Sequence, residues 1–288
     1  MPAPLLGESE SCNAAPQPVS PLVADTPPPL PDVCAKIYNR INAFLDEKTD
    51  SQRLKNLQEQ TRISLDVISQ ALDRYSLSEL SLSYNGGKDC LVLLILYLYG
   101  LHAKGLTRPT PNNVHSSHHE PIQCVYIQSQ HPFQEVEDFV ASSASIYSLS
   151  LDHYAKPMKA AFADYLHDKP SVKAIFVGTR RTDPHGAALT HFDPTDHGWP
   201  KFMRIHPVID WHYVEIWTFI RHLQIPYCVL YDHGYTSLGG TTDTLPNPAL
   251  LRDPTLAQNG DRNGAGTLKY RPAYELVEDE EERLGRDR

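Results

Sequence analysis

Ser81-Leu-Ser83-Tyr84-Asn85-Gly86-Gly87-Lys88-Asp89-Cys90, followed by the apolar run Leu91–Leu101, decides how this 288-residue chain is read. The segment leaves a short strand at Leu80–Tyr84, turns through two glycines and enters a nearly all-apolar helix over 88–100. Adjacent glycines let a backbone take positive φ and approach a ligand without Cβ clashes. The helix that follows offers unsatisfied N–H groups and a positive dipole end to an anion. This is the physics of a Walker A loop without its spacing. That motif needs Gly five residues before the Gly-Lys pair and Ser or Thr after the Lys, where this chain has Leu82 and Asp89. A Gly-x-Gly-x-x-Gly dinucleotide turn is absent. A diglycine turn by itself is commonly a mere connector, and Asp89 by itself does no more than complement the helix dipole. The strand before, the buried helix after, and Ser83 and Asn85 beside the glycines favour an anion site.

Outward from this loop the pattern is an alternation of strands and helices. Cys124–Gln128 reads as a strand, Phe133–Ser143 as a helix opened by Pro132 and acidic in its first turn, and Ser148–Asp152 as an edge strand. A helix over Pro157–His167, a β-branched strand at Val172–Val177 and an amphipathic helix at Trp211–Leu223 follow. Such repetition predicts an α/β fold with a mostly parallel sheet covered by helices on both faces, and ligands at the carboxyl ends of the strands. Two helical stripes precede the loop, Val33 to Leu45 and Leu54 to Leu72, and read as packing faces. Residues 103–121 and 178–210 read as long loops. Residues 1–32 hold nine of the 24 prolines and no Lys or Arg, and read as a disordered tail ahead of a single domain over 33–288.

Composition narrows the function. Lys plus Arg is 26 against 35 Asp plus Glu, a formal charge of −9, which argues against nucleic acid or a membrane surface as partner. The longest apolar run is too short to span a bilayer, which takes about 20 residues, and no signal or Arg-rich transit segment opens the chain. Five cysteines (Cys12, Cys34, Cys90, Cys124, Cys228), with no Cys-x-x-Cys pair, read as reduced thiols in a cytoplasmic protein. His115, His118 and His119 lie in a proline-bearing loop with no metal-ligand framework beside them, and read as solvated.

A second cluster, Gly178-Thr-Arg180-Arg181-Thr-Asp183-Pro184, follows the strand at 172–177 and should lie at the same sheet edge as the diglycine loop. Paired arginines there suit phosphate, which guanidinium groups bind bidentately; the plain alternative is surface charge. Phe192-Asp-Pro-Thr-Asp196-His-Gly-Trp199-Pro200 and Arg204-Ile-His206-Pro207 continue the loop. Trp199 either plugs a core or lies against a planar heterocycle.

Ser83–Asp89 resembles the PP-loop of ATP pyrophosphatase-type enzymes, the group that includes 3′-phosphoadenylylsulfate reductases. Within that group the ordered motifs are most similar to fungal-type FAD synthases (FMN adenylyltransferases). They continue through Gly178–Pro184, Phe192–Pro200, Arg204–Pro207, Trp211–Trp217, Pro226–Gly239, Asp243–Pro248 and Tyr270–Leu276. The resemblance covers roughly 35–288. The stretches 103–121 and 252–267 match nothing in it.

The resemblance implies a modified Rossmann-like fold (adenine nucleotide alpha hydrolase-like) with a C-terminal extension at about 225–288. It implies transfer of AMP from ATP to FMN, giving FAD and pyrophosphate with Mg²⁺ present. By similarity Ser83, Tyr84, Asn85, Gly86, Gly87, Lys88 and Asp89 hold the ATP phosphates, and Ile127 borders the adenine. Asp183, Asp196 and Trp199 match the segment that receives the flavin. Gly178, Arg180, Arg181 and Arg204 are further cofactor-binding candidates, Arg180 also as a helper in offsetting phosphate charge. Glu282-Arg283-Leu-Gly-Arg286 resembles an arginine loop that reaches back to the phosphates. Since the FMN phosphate is already ionised, catalysis is expected from positioning and charge neutralisation. Asn85 and Asp89 are the candidate Mg²⁺-side groups, Arg283 and Arg286 the candidate catalytic cations, and Asp183 orients flavin or an arginine. Asp89→Ala, and Arg283→Ala with Arg286→Ala, are expected to cut turnover far more than stability. The partners are small molecules and the chain is expected to be a monomer. A sulfonucleotide reductase needs a nucleophilic cysteine near the C-terminus, where the last here is Cys228 in an apolar run. A non-catalytic nucleotide sensor is the other alternative.

Overall fold

The apolar run beginning at Leu91 becomes the pillar of the fold. In the computed structural model, which describes residues 28–107, 121–252 and 269–286, it forms α3 (Lys88–Ala103), buried along nearly its whole length. A helix with no polar stripe has to be covered all round. The helices α1 (Leu30–Asp46), α2 (Gln52–Arg74) and α6 (Tyr213–His222) pack against it, and the sheet lies beneath. α1 starts at Leu30 rather than Val33, because Pro31 falls in its first turn, where a missing N–H is no loss. The remainder of the expected tail, residues 1–27, lies outside the described residues, as do Cys12, the His115, His118 and His119 cluster and the 253–267 stretch.

The sheet contains β1 (Leu80–Ser83), β2 (Ile122–Ile127), β3 (Leu149–Tyr154), β4 (Ala174–Phe176), β5 (Phe192–Pro194) and β6 (Met203–Ile205). Its order is β3-β2-β1-β4-β6-β5, parallel throughout except for β5 against β6. Leu82 sits opposite both Cys124 and Phe176. Side chains alternate between faces, as a pleated strand requires. Leu80, Leu82, Cys124, Tyr126, Ala174 and Phe176 enter the large core under α3. Val125 and Ile175 instead join Phe162, Tyr165, Val172 and Phe202 in a smaller core beneath α5 (Met158–Asp168). α4 (Gln134–Tyr147) packs on β3 and α1, on the large-core side. Both faces are covered as expected, but unequally, with α5 the one long helix described on the second.

Residues 178–210 are not simply a loop, since β5 and β6 lie within them. Strands of this length (Phe-Asp-Pro and Met-Arg-Ile) are too short to show a period-2 pattern, and the proline ending β5 is tolerated because that strand is at the edge. Among the described residues after α6 the chain makes short 3₁₀ turns, at Val229–Tyr231, Pro248–Leu250, Ala273–Glu275 and Asp279–Glu281. They are held by aromatic packing: Trp217 of α6 meets Tyr227, Tyr231 and Tyr274 edge to face at 5.2, 5.0 and 5.9 Å. Cys34, Cys90, Cys124 and Cys228 are buried and unpaired. Among the described residues, no helix is long and apolar enough to cross a membrane.

Candidate active site

β1 delivers Ser83 to the carboxyl edge of the sheet, and the chain then turns into α3. Gly86 makes the turn with φ +75°, while Val140 of α4 lies so close that a Cβ would meet its methyl at 2.9 Å. Exposure alternates along the loop. Ser83, Asn85, Gly87 and Asp89 reach solvent, whereas Tyr84, Gly86, Lys88 and Cys90 are buried. The Tyr84 side chain therefore belongs to the core and cannot contact a cofactor.

Asn85 folds back on its own loop. Its Oδ1 accepts the Gly87 N–H at 3.0 Å and the Cys90 Sγ–H at 3.0 Å. A backbone N–H can only donate, so this atom must be the amide oxygen. The group Asn85 has left to offer is its Nδ2, a donor suited to a phosphate oxygen and unsuited to a cation. Lys88 N–H donates to Tyr231 Oη at 2.8 Å, so its amide is occupied too. Burial pushes the Cys90 thiol up to about 12.

Lys88 and Arg180 were expected at phosphate, but the structure commits them elsewhere. Both side chains are sealed from solvent. Lys88 Nζ donates to Asp89 Oδ2 at 3.0 Å and to Glu282 Oε1. Arg180 lies 2.8 Å from Asp89 Oδ1 through Nε and 3.2 Å from Asp279 Oδ1 through Nη1, and its Nη2 donates to Glu282 Oε2. Burial opposes the charge on both cations, yet the surrounding carboxylates outweigh it and raise both pKa values. Burial alone would raise Asp89, but Lys88 and Arg180 hold it below the usual carboxylate range. Both Asp89 oxygens thus already face cations, and Asn85 Oδ1 already accepts two hydrogen bonds, so in this arrangement neither of the expected Mg²⁺-side groups offers the ion an unengaged oxygen. Among the described residues, no group of three or more His, Cys, Asp or Glu side chains is placed to hold a metal.

The second loop meets the first directly, as its position after β4 predicts. A Cβ on Gly178 would lie 2.8 Å from the Cys90 nitrogen, so only glycine allows this approach. Asp183 meets the backbone of an arginine: its Oδ2 accepts the Arg180 N–H at 2.8 Å. Arg181 is turned away from the ion cluster, with Nε on Asp210 at 2.6 Å and Nη1 on the Ala187 and Leu189 carbonyls. Arg204 sits within β6, donating to the Pro194 carbonyl at 3.2 Å. It was expected at the ligand and instead braces the β5–β6 hairpin. Asp196 is exposed, its carbonyl closing a turn with the Trp199 N–H at 2.9 Å. Trp199 is half-buried and tilts against Phe162 at 6.3 Å. With Ile127 and Val177 it forms a partly exposed apolar shelf over the smaller core.

The C-terminal arm is fastened along its length. Thr236 Oγ1 donates to the Glu282 carbonyl at 2.5 Å, and Asn247 Nδ2 to the Glu281 carbonyl at 2.7 Å. Leu245 N–H donates to the Gly285 carbonyl at 2.8 Å. Arg286 lies on Gly239, leaving no room there for a Cβ, with Nη2 3.5 Å from Asp243. Arg283 is exposed and close enough to Arg286 to help lower its pKa, after burial, the larger cause. Glu282, Asp279, Tyr231, Thr236 and Asn247 are the functional-region residues the sequence left without roles. An acidic run such as Asp279–Glu282 reads as solvated surface, and no local signal shows that its last carboxylate is buried. A separate cavity of about 440 Å³, lined by Leu80, Ile122 and Ser150, opens at the opposite edge of the sheet, away from this constellation.

The phosphoadenosine phosphosulfate reductase domain family matches residues 79–173 and 152–246. A probable FAD synthase of Schizosaccharomyces pombe is 40% identical over 89% of this chain and 89% of its own length. The flavin adenine dinucleotide synthase of Saccharomyces cerevisiae is 36% identical over 75% of each. The crystal structure of Candida glabrata FMN adenylyltransferase in complex with FAD and inorganic pyrophosphate superposes with a TM-score of 0.77 at 31% identity, covering 89% of this chain and 99% of that one. Identity at this level over most of both partners settles the lineage: the chain belongs to the FAD synthase family.

Proposed function

We infer that this chain transfers the AMP moiety of ATP to FMN, forming FAD and releasing pyrophosphate. The observation that carries the reading is the 40% identity to a probable FAD synthase over nearly nine-tenths of both chains. A phosphate oxygen of FMN attacks the α-phosphorus of ATP. One P–O bond forms, the bond to the bridging oxygen breaks, and its electron pair leaves with pyrophosphate, so no proton has to be abstracted. The task left to the protein is to bring two anions together and stabilise the departing charge.

Roles follow from what each side chain has free. The positive end of α3 and the Asn85 Nδ2 face the ATP phosphates. Arg283, exposed, and Arg286, paired only at 3.5 Å with Asp243, are the cations assigned to offset charge on the leaving group. Ile127, Val177 and Trp199 offer apolar surface to a ring. With Asn85 Oδ1 and both Asp89 oxygens already engaged, Mg²⁺ brought in with ATP would be held by phosphate and water oxygens and would neutralise phosphate charge. The chain acts as a monomer in the cytoplasm.

Cys228 speaks against a reductase: it is buried, and burial pushes its thiol up to about 11. Purified protein mixed with FMN, ATP and Mg²⁺ should yield FAD, followed by chromatography, with pyrophosphate released in equal amount. Riboflavin in place of FMN should give nothing. ATP binding without flavin-dependent pyrophosphate release would instead identify a nucleotide sensor.

A further inference from the structure

Lys88 and Arg180 are buried cations beside the phosphate loop, and the reaction as written above uses neither. Two of their carboxylate partners come from the far end of the chain, Asp279 and Glu282. Glu282 is the one that reaches both, with Oε1 on Lys88 and Oε2 on Arg180. Its backbone is gripped as well, since the Glu282 carbonyl accepts from Thr236 Oγ1 at 2.5 Å. Taking charges out of water is unfavourable unless their geometry and hydrogen bonding are nearly complete. Here the cost falls on a residue whose immediate neighbour is the exposed Arg283.

We propose that Glu282 is a positioning residue for adenylyl transfer: by bridging Lys88 of the phosphate loop and Arg180 after β4, it fixes the backbone from which Arg283 and Arg286 address the nucleotide. The proposal rests on the adenylyl-transfer reading above. Lys88 and Arg180 then act as the anchor points of the arm rather than as phosphate ligands. A purely structural clamp would lower stability without coupling to Arg283, and that difference can be measured.

The experiment is a double-mutant cycle on the full chain: wild type, Glu282→Gln, Arg283→Ala and the combination, each assayed for kcat and for KM of ATP. In parallel, hydrogen exchange is followed without substrates at the Leu245 amide, which donates to the Gly285 carbonyl. Glu282→Gln should lower kcat by about 100-fold, the scale of a misplaced catalytic group, and speed that exchange. In the Arg283→Ala background the same change should cost a clearly smaller factor, the part that remains being its effect on Arg286, because residues acting through one another are not additive. Equal losses in both backgrounds, or wild-type turnover in Glu282→Gln, would overturn the proposal. If the wild type makes no FAD, the reaction assignment fails instead, and unaltered exchange in Glu282→Gln would still reject the anchoring role. Should Glu282→Gln not fold, Glu282→Asp, charged but one methylene shorter, carries the same readouts with the same outcomes.

Discussion

Asn85 shows how one side chain can be assigned from its hydrogen bonds. Its amide oxygen takes the Gly87 N–H and the Cys90 thiol, which closes the turn and points the amide nitrogen outward. Asn85→Asp separates the two halves of this role. An aspartate oxygen still accepts from Gly87, so the loop keeps its shape, but the outward group becomes an anion facing phosphates. A hydrogen bond to a charged partner contributes about 1.5–3 kcal/mol, so kcat/KM for ATP should fall by at least about 10-fold. The melting temperature should move by no more than a few degrees. Asn85→Ala loses the turn as well and should lower both. A wild-type kcat/KM in Asn85→Asp would show that the amide nitrogen does not meet the nucleotide.

Among elements, the joint between α3 and the end of β4 carries the most consequence. Gly178 lets the two backbones touch, and Asp89 ties the first turn of α3 to Arg180. Asp89→Ala was expected from the sequence to cut turnover far more than stability, and the ion cluster changes that expectation. Removing one partner of a buried charge group leaves the others uncompensated, at a cost of about 3–5 kcal/mol. Denaturant unfolding of Asp89→Ala should therefore show a clear loss of stability alongside the loss of activity; a wild-type midpoint would contradict the buried network. The elements themselves were legible because their signals are local. The apolar run of α3, the diglycine bend and the glycine ending the 172–177 strand each act within a few residues. The hairpin β5–β6 was not, since its strands are too short to carry a pattern. The site was half legible for the same reason: its loops could be read, but Arg180 and Lys88 find their partners 102 and 194 residues away. Whether a cation faces solvent or a buried carboxylate is decided by that pairing.

At the scale of the molecule, the sheet edge beyond β4 is where folding and pH meet. His206 follows β6, buried, with neither ring nitrogen partnered among the described residues. Burial first and the neighbouring Arg204 second push its pKa down to about 4. The folded chain therefore keeps this imidazole neutral while the unfolded chain protonates near its usual 6.5. As pH falls below that value the unfolded state takes up a proton the native state refuses, so stability declines. The decline from this residue ends near pH 4, where both states are protonated. A shift of this size corresponds to roughly 3 kcal/mol between those limits. His206→Phe keeps a ring of similar shape and has no proton to bind, so its unfolding free energy should fall less steeply from pH 6.5 to pH 4 than that of the wild type. Denaturant titrations at both pH values measure the difference directly. Parallel slopes would mean that the imidazole titrates alike in the folded and unfolded chains, and that the acid sensitivity of this molecule lies in its other titratable groups.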